Sequence, residues 1–246
     1  MKWFYLVGLL LLGVLSCKAD ENDLQDITKD SDSDEEFYTE LKDLFEKKCK
    51  SVGGDNAIKN LTTVVEGLKI CITDQLPADA SKFKELADSG SSEDLCTDKR
   101  KVIRDCFNDL VHVWEDCSVP EEQYVAGFFL DSVDSLLDYI CADDGAIILS
   151  LINDDTIDCV FSLAEQENAT DVCTNEFKVL NDDTPDDIII TKSELCHDLK
   201  TAQECYGKYL EEQCPKATAL SEAFVGALKA ISSPCNKRRR RYLFNL

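Results

Sequence analysis

The cysteines constrain this chain more than any other feature of its sequence. There are 13 of them: Cys17 stands alone near the N-terminus, and the others form two sets of six. Successive gaps are 22, 25, 10, 11 and 24 residues in the first set, and 14, 23, 9, 9 and 21 in the second. The order long, long, short, short, long occurs twice, which predicts two diverged copies of one six-cysteine module. The first set is Cys49, Cys71, Cys96, Cys106, Cys117 and Cys141, and the second is Cys159, Cys173, Cys196, Cys205, Cys214 and Cys235.

The residues around the cysteines support the repeat. A leucine precedes the third cysteine of each set, Cys96 and Cys196. A proline follows the fifth cysteine of each set, at Pro120 and Pro215, where a helix has to stop. We therefore predict helical modules at residues 37–150 and 151–236.

The apolar residues recur at three- and four-residue intervals, which is the period of an amphipathic helix. Strict alternation over the length of a strand is almost absent, and the most strand-like run, residues 188–191, is only four residues long. The sequence therefore predicts an all-α, disulfide-stapled protein. The helical sets are Leu61, Val65, Leu68 and Ile72; Val102, Ile103, Cys106, Phe107, Leu110 and Trp114; and Val125, Phe128, Phe129, Val133, Leu136, Leu137 and Ile140.

Helix geometry limits how the cysteines pair. Cys96, Cys106 and Cys117 lie along one helical pattern, and a spacing of ten residues separates Cα atoms by about 15 Å, too far for a disulfide. A helix hairpin that turns after Cys117 brings Cys96 opposite Cys141, and the same turn at Pro215 brings Cys196 opposite Cys235. We predict these two bonds and leave the other four open, since six cysteines allow about 15 connectivities.

Zinc is the alternative use of so many cysteines, and the spacing disfavours it. The sequence has no Cys-x-x-Cys pair, and its two histidines, His112 and His197, are isolated. We predict no metal and no other cofactor, and place His112 on the polar face of its helix.

The N-terminus has the order of a secretory signal. Lys2 precedes a Leu-rich run to Leu15 that is shorter than a membrane span, and small residues follow. We predict a signal peptide at residues 1–19, since cleavage after Ala19 leaves an even number of cysteines for an oxidising compartment. No later apolar run is long enough to span a bilayer.

The mature chain begins with an acidic arm, predicted at residues 20–36, that lacks the apolar content to fold. Ser31 and Ser33 lie among its acidic residues, and Ser33 fits the Ser-x-Glu pattern of secretory-pathway kinases. The alternative to phosphorylation is an unmodified, solubilising segment.

Overall charge and missing motifs exclude several functions. The chain has 26 Lys and Arg against 49 Asp and Glu, a formal charge of −23, so unaided binding to nucleic acid or anionic lipid is excluded. It has no nucleophile elbow, phosphate-binding glycine loop or His-Glu-x-x-His motif. We predict that the protein is not an enzyme.

Three surface features bear on processing. Asn60 and Asn168 begin N-glycosylation sequons, which the secretory signal makes accessible. The C-terminal tail, residues 237–246, carries four arginines that end at Arg241 and fit a furin-type site. The tail is read equally well as an exposed basic end.

A secretory signal, an acidic arm, twelve cysteines in two helical sets and the sequons together resemble the lepidopteran 27 kDa haemolymph glycoprotein family over essentially the whole chain. The resemblance implies an extracellular glycoprotein of body fluid, with no established molecular activity. We predict a non-enzymatic haemolymph protein that carries or stores a small apolar ligand on the helix faces of Phe128, Phe129, Leu136 and Leu137. The alternative is an immune or developmental binding factor that recognises cationic partners by its acidic surface.

Overall fold

The computed structural model describes residues 49–50, 52, 54–75, 96, 100–151, 153–164, 166, 172–173, 176–179 and 189–236. Helices dominate this part of the chain and no strand occurs in it, which confirms the all-α class. None of its helices is long and apolar enough to cross a membrane. The helices are α1 (Gly54–Gln75), α2 (Arg100–Cys106), α3 (Asn108–Asp116), α4 (Tyr124–Ile140), α5 (Ala146–Leu151), α6 (Asp154–Ala164), α7 (Lys192–Gln213), α8 (Thr218–Ile231) and α9 (Ser233–Asn236).

Several predictions concern residues outside this described part. They are the signal peptide 1–19, the arm 20–36, the tail 237–246, and the residues Ser31, Ser33, Asn168 and Arg241. These stay predictions. The predicted boundary between the modules, at 150/151, lies before the last residue of α5.

The first hairpin departs from the predicted single helix between Cys106 and Cys117. The chain tightens at Phe107, whose amide donates to the Arg104 carbonyl three residues earlier, at 3.1 Å. As a result the segment forms two helices, α2 and α3. The prediction that Val102 belongs to the apolar face is wrong: its side chain is 39% exposed, while Ile103 beside it is buried.

Both hairpins turn at the predicted prolines. Pro120 begins a single turn of 3-10 helix, Pro120–Glu122, between α3 and α4. Pro215 lies between α7 and α8, and the Ala217 amide closes that turn by donating to the Cys214 carbonyl. At the other end of α7, the Thr191 side chain caps the helix by accepting from the Glu194 amide. A proline follows one helix and a threonine cap begins another, so local sequence sets these boundaries.

Helix α4 contributes to both hydrophobic cores. Phe129, with the other residues of one face, packs into the core formed with α1, α2 and α3. Phe128 and Leu136 pack into the second core, formed with α7 and α8. Helix α4 also packs directly on α8. These two central helices, one from each predicted module, therefore join the modules.

Buried hydroxyl groups fix the contact of α4 with the end of α8. Ser132 Oγ lies 2.8 Å from the carbonyl of Ile231, the last residue of α8. One turn later, the Ser135 and Ser233 hydroxyls are 2.6 Å apart. The last carbonyls of a helix lack partners within it, and the Ser132 hydroxyl is placed to donate to one of them.

The six disulfides follow one connectivity in both cysteine sets: first to fifth, second to fourth, and third to sixth. The Cα–Cα distances lie between 4.3 and 5.9 Å. The pairs selected by hairpin geometry, Cys96–Cys141 and Cys196–Cys235, are the two third-to-sixth bonds. Origin from two copies of one module stays a prediction, which the shared connectivity supports. The other bonds are Cys49–Cys117, Cys71–Cys106, Cys159–Cys214 and Cys173–Cys205.

Candidate interaction surface

A long part of the folded chain carries negative charge and no basic side chain. Between Arg104 and Lys178 the sequence has 18 Asp and Glu residues and neither Lys nor Arg. This segment, called here the cation-free segment, contains helices α3 to α6. In its described part the exposed acidic residues are Asp105, Asp109, Glu115, Asp116, Glu121, Asp138, Asp143, Asp154, Asp155, Asp158 and Glu176.

Two arginines just outside the segment neutralise a small part of it. Arg104 Nε lies 2.9 Å from Asp134, and Arg100 pairs with Asp138 one turn further along α4. Both partners are partly exposed, so each pair contributes about 0.2–1 kcal/mol and weakens with salt. These pairs join α2 to α4.

Other carboxylates in the segment have no such partner. Asp109, Asp116, Glu121, Asp155 and Asp158 are exposed and make no ion pair with any residue that the structure describes. An unneutralised field of one sign attracts a molecule of opposite charge. The surface of α3 and α6 is therefore suited to a basic partner.

Two hydrogen bonds, called here the clasp, hold the segment before α7 against the first hairpin. The Ile190 amide donates to the Glu122 carboxylate at 2.8 Å, and the Tyr124 hydroxyl donates to the Ile190 carbonyl at 3.0 Å. Glu122 is fully buried, so its carboxylate is removed from water. The clasp ties residues of one cysteine set to the segment that begins a helix of the other.

The clasp changes the acidity of Tyr124. Burial, reinforced by the negative charges of Glu122 and Glu194, raises the pKa of its hydroxyl above the ordinary value of 10.0. The phenol therefore keeps the hydrogen that it donates at pH values above 10, where an exposed tyrosine loses it.

A second buried carboxylate organises the chain near Cys173. Asp198 on α7 is fully buried and accepts hydrogen bonds from the amides of Lys178 and Val179, at 2.8–3.0 Å. Its position, like that of Glu122, indicates a structural role, because each carboxylate is used to bind backbone amides.

The two histidines lie on different helices, and both are exposed. His112 is on the exposed face of α3, with Nδ1 3.6 Å from Glu115, and His197 is exposed on α7. No cluster of three metal-ligating side chains occurs in the described part of the chain.

The glycosylation residue that falls in the structure, Asn60, is exposed on α1. Its exposure agrees with the helical pattern, whereas Ala57, Val65 and Leu68 on the same helix are buried. A glycan there would extend into solvent without disturbing the core.

The residues predicted to contact an apolar ligand lie inside the cores. Phe128, Phe129, Leu136 and Leu137 are all buried. Phe129 packs edge-on against Phe107, with ring centroids 5.3 Å apart. Core packing accounts for these side chains.

Sequence reasoning missed the clasp and the cation-free segment, for different reasons. The segment was readable as the gap between Arg104 and Lys178. The clasp joins Glu122 and Tyr124 to a residue more than 60 positions away, and no local pattern indicates such a contact.

Comparison with known proteins gives one match. A family model described as a protein of unknown function (DUF1397) matches residues 35–235. No curated protein and no solved structure matches the chain.

Proposed function

The chain belongs to the DUF1397 family, whose function is unknown. From its sequence and its surface charge we propose that it is a secreted, non-enzymatic haemolymph glycoprotein that binds basic partners through its cation-free segment. The observation that carries this proposal is the absence of Lys and Arg between Arg104 and Lys178, with unneutralised carboxylates exposed on α3 and α6.

Secretion is supported by the disulfides and by the N-terminal sequence. Six disulfides are typical of a protein that folds in an oxidising compartment. The predicted signal at residues 1–19 would deliver the chain there, and the exposed Asn60 suits a glycan. The haemolymph assignment rests on the resemblance of the sequence to the lepidopteran family.

Binding through charge is supported by how rigidly the acidic helices are held. Cys117, at the end of α3, is bonded to Cys49, and Cys159, within α6, is bonded to Cys214. A rigid surface loses little conformational entropy when a partner binds, so modest charge attraction suffices for association.

The apolar-carrier proposal has less support. Its four aromatic and aliphatic residues lie in the cores, where packing already occupies them. The test for an apolar ligand is to extract the purified protein into organic solvent and to search the extract for co-purifying lipid by mass spectrometry.

The binding proposal is tested with the full glycoprotein secreted from insect cells and a ten-residue oligolysine peptide as probe. The dissociation constant is measured from about 20 to about 300 mM salt, over which the Debye length falls severalfold. Two double variants, D109N/D116N on α3 and D155N/D158N on α6, each remove two negative charges. We expect each to weaken binding about threefold or more at low salt and to reduce the dependence on salt.

The control is the double variant E204Q/E212Q on α7. It also removes two charges, but these carboxylates already pair with Lys200 and Lys208, at 3.5 and 3.7 Å. We expect little change in binding. An equal loss in the control would mean that total charge binds the peptide, and would refute a role for the cation-free segment.

A further inference from the structure

An open groove lies beside the turn between α7 and α8, and its lining residues are outside the cation-free segment. Its volume is about 330 Å³, near the lower end of the range for small-ligand sites. One wall is the C-terminal end of α7, the other is the first turns of α8, and Cys214, bonded to Cys159, lies between them. Its lining residues are Glu211, Cys214, Pro215, Thr218, Ser221 and Glu222.

The groove contains a buried hydroxyl with spare capacity to accept hydrogen bonds. Ser221 is 6% exposed, and its hydroxyl donates over a long 3.5 Å to the Gly207 carbonyl. A hydroxyl oxygen that donates its one hydrogen keeps two lone pairs. Ser221 therefore suits a ligand that donates hydrogen bonds, and the Thr218 hydroxyl beside it offers another acceptor.

The charged groups of the groove are both negative. Glu211 and Glu222 are exposed, and neither makes an ion pair with a described residue. Lys216 in the same turn does not line the groove. The end of α7 and the start of α8 carry opposite partial charges that offset each other, so the carboxylates decide the sign.

We propose that this groove binds a small organic ammonium compound. The ammonium group donates to the carboxylates of Glu211 and Glu222 and to the Ser221 hydroxyl, while the hydrocarbon part lies against Pro215 and the Cys159–Cys214 disulfide. Carboxylate and hydroxyl oxygens are the acceptors that an ammonium group requires, and charged hydrogen bonds are about twice as strong as neutral ones. The carboxylates of the groove, Glu211 and Glu222, lie outside the cation-free segment, and different variants test the two proposals.

The test uses the full mature glycoprotein labelled with ¹⁵N, and 1,4-diaminobutane as the probe. We expect saturable shifts of the amide signals of residues 211–222, with a dissociation constant of about 1 mM or lower. The uncharged molecule 1-butanol, with the same four-carbon chain, is expected to leave these signals unmoved.

Two single variants and a neighbouring control locate the site. E211Q and E222Q keep the size of the side chain and remove the charge, so each is expected to raise the dissociation constant about fivefold or more. E212Q removes the next carboxylate along the chain, which pairs with Lys208 outside the groove, and is expected to leave binding unchanged.

The amide spectrum of each variant also shows whether it is folded. Absence of saturable shifts up to about 20 mM diamine would overturn the proposal, because that concentration is far above the expected constant. It would equally be overturned if E212Q weakened binding as much as E211Q does, since general charge attraction would then explain the shifts.

Discussion

The ring of Tyr139 on α4 lies directly against Gly226 on α8, so closely that a methyl group added at Gly226 would overlap the end of the ring. The Tyr139 hydroxyl reaches the Glu222 carbonyl one turn earlier, at 3.4 Å. Glycine at this position therefore sets how closely the two central helices approach each other.

Substituting Gly226 with alanine is expected to destabilise the protein through this contact. The added methyl must displace the Tyr139 ring, at a cost of about 1–3 kcal/mol. Alanine also favours a helix over glycine by about 1 kcal/mol, which offsets part of the loss. The measurement is the free energy of unfolding in urea, with the disulfides intact.

Gly127 provides the matched control, because it is exposed on α4 and an added Cβ would meet nothing within 4 Å. G127A shows the gain in helix propensity alone. We expect G226A to be less stable than G127A by about 1–3 kcal/mol. Equal stability of the two variants would show that the Tyr139 ring moves aside without cost.

Gly127 and Gly226 show which features of the fold can be predicted from the sequence and which cannot. The stretches around Gly127 and Gly226 are similar in sequence, and both lie on helices, the first of which the apolar periodicity predicts. One glycine nevertheless meets solvent and the other an aromatic ring. Periodicity identifies which face of a helix is apolar, but which helix lies against it depends on contacts between distant residues.

Stability is expected to fall in alkaline solution through Tyr124. Its pKa is raised in the folded protein above the 10.0 of an exposed phenol, so its contribution is fully present below about pH 10. That contribution is lost as the pH rises toward the folded-state value, because the unfolded chain releases the proton first. The free energy of unfolding, measured between about pH 8 and about pH 11, should fall less steeply in Y124F than in the native protein.

The substitution Y124F also removes the hydrogen bond to Ile190, which costs about 1 kcal/mol at every pH below 10. The slope separates the two effects, since a lost hydrogen bond lowers stability uniformly. Parallel curves for the native protein and Y124F would exclude Tyr124 as the titrating group.

Removing the buried carboxylate of Asp198 is expected to be strongly destabilising. D198A leaves the amides of Lys178 and Val179 without their acceptor, at a cost of about 2–4 kcal/mol. Hydrogen exchange of these two amides should accelerate along with the loss of stability. E204A, an exposed acidic change on the same helix, is the control and is expected to cost less than about 0.5 kcal/mol. Unchanged protection of both amides in D198A would contradict the assigned role.

The charged groups show a different limit of sequence reasoning. Counting residues reveals that the stretch after Arg104 lacks basic side chains, and helical spacing places His112 on an exposed face. Neither count nor spacing separates the exposed Glu121 from its buried neighbour Glu122. The difference arises because Ile190, distant in sequence, presents its amide to Glu122 alone.

Peptide mapping of the unreduced protein should show the same pairing order in both cysteine sets. Cys196 and Cys205 lie on helix α7, and Cys214 follows it directly. None of these three cysteines can therefore pair with another while the helix is intact. Lys200, Glu204 and Lys208 provide cleavage points between the three cysteines for proteases specific for basic and acidic residues. Linked fragments should join Cys196 to Cys235, Cys205 to Cys173, and Cys214 to Cys159.

The corresponding first-set fragments should join Cys96 to Cys141, Cys106 to Cys71, and Cys117 to Cys49. A different order in one set alone would argue against descent of the two sets from one module, because a change of pairing requires helices to exchange neighbours.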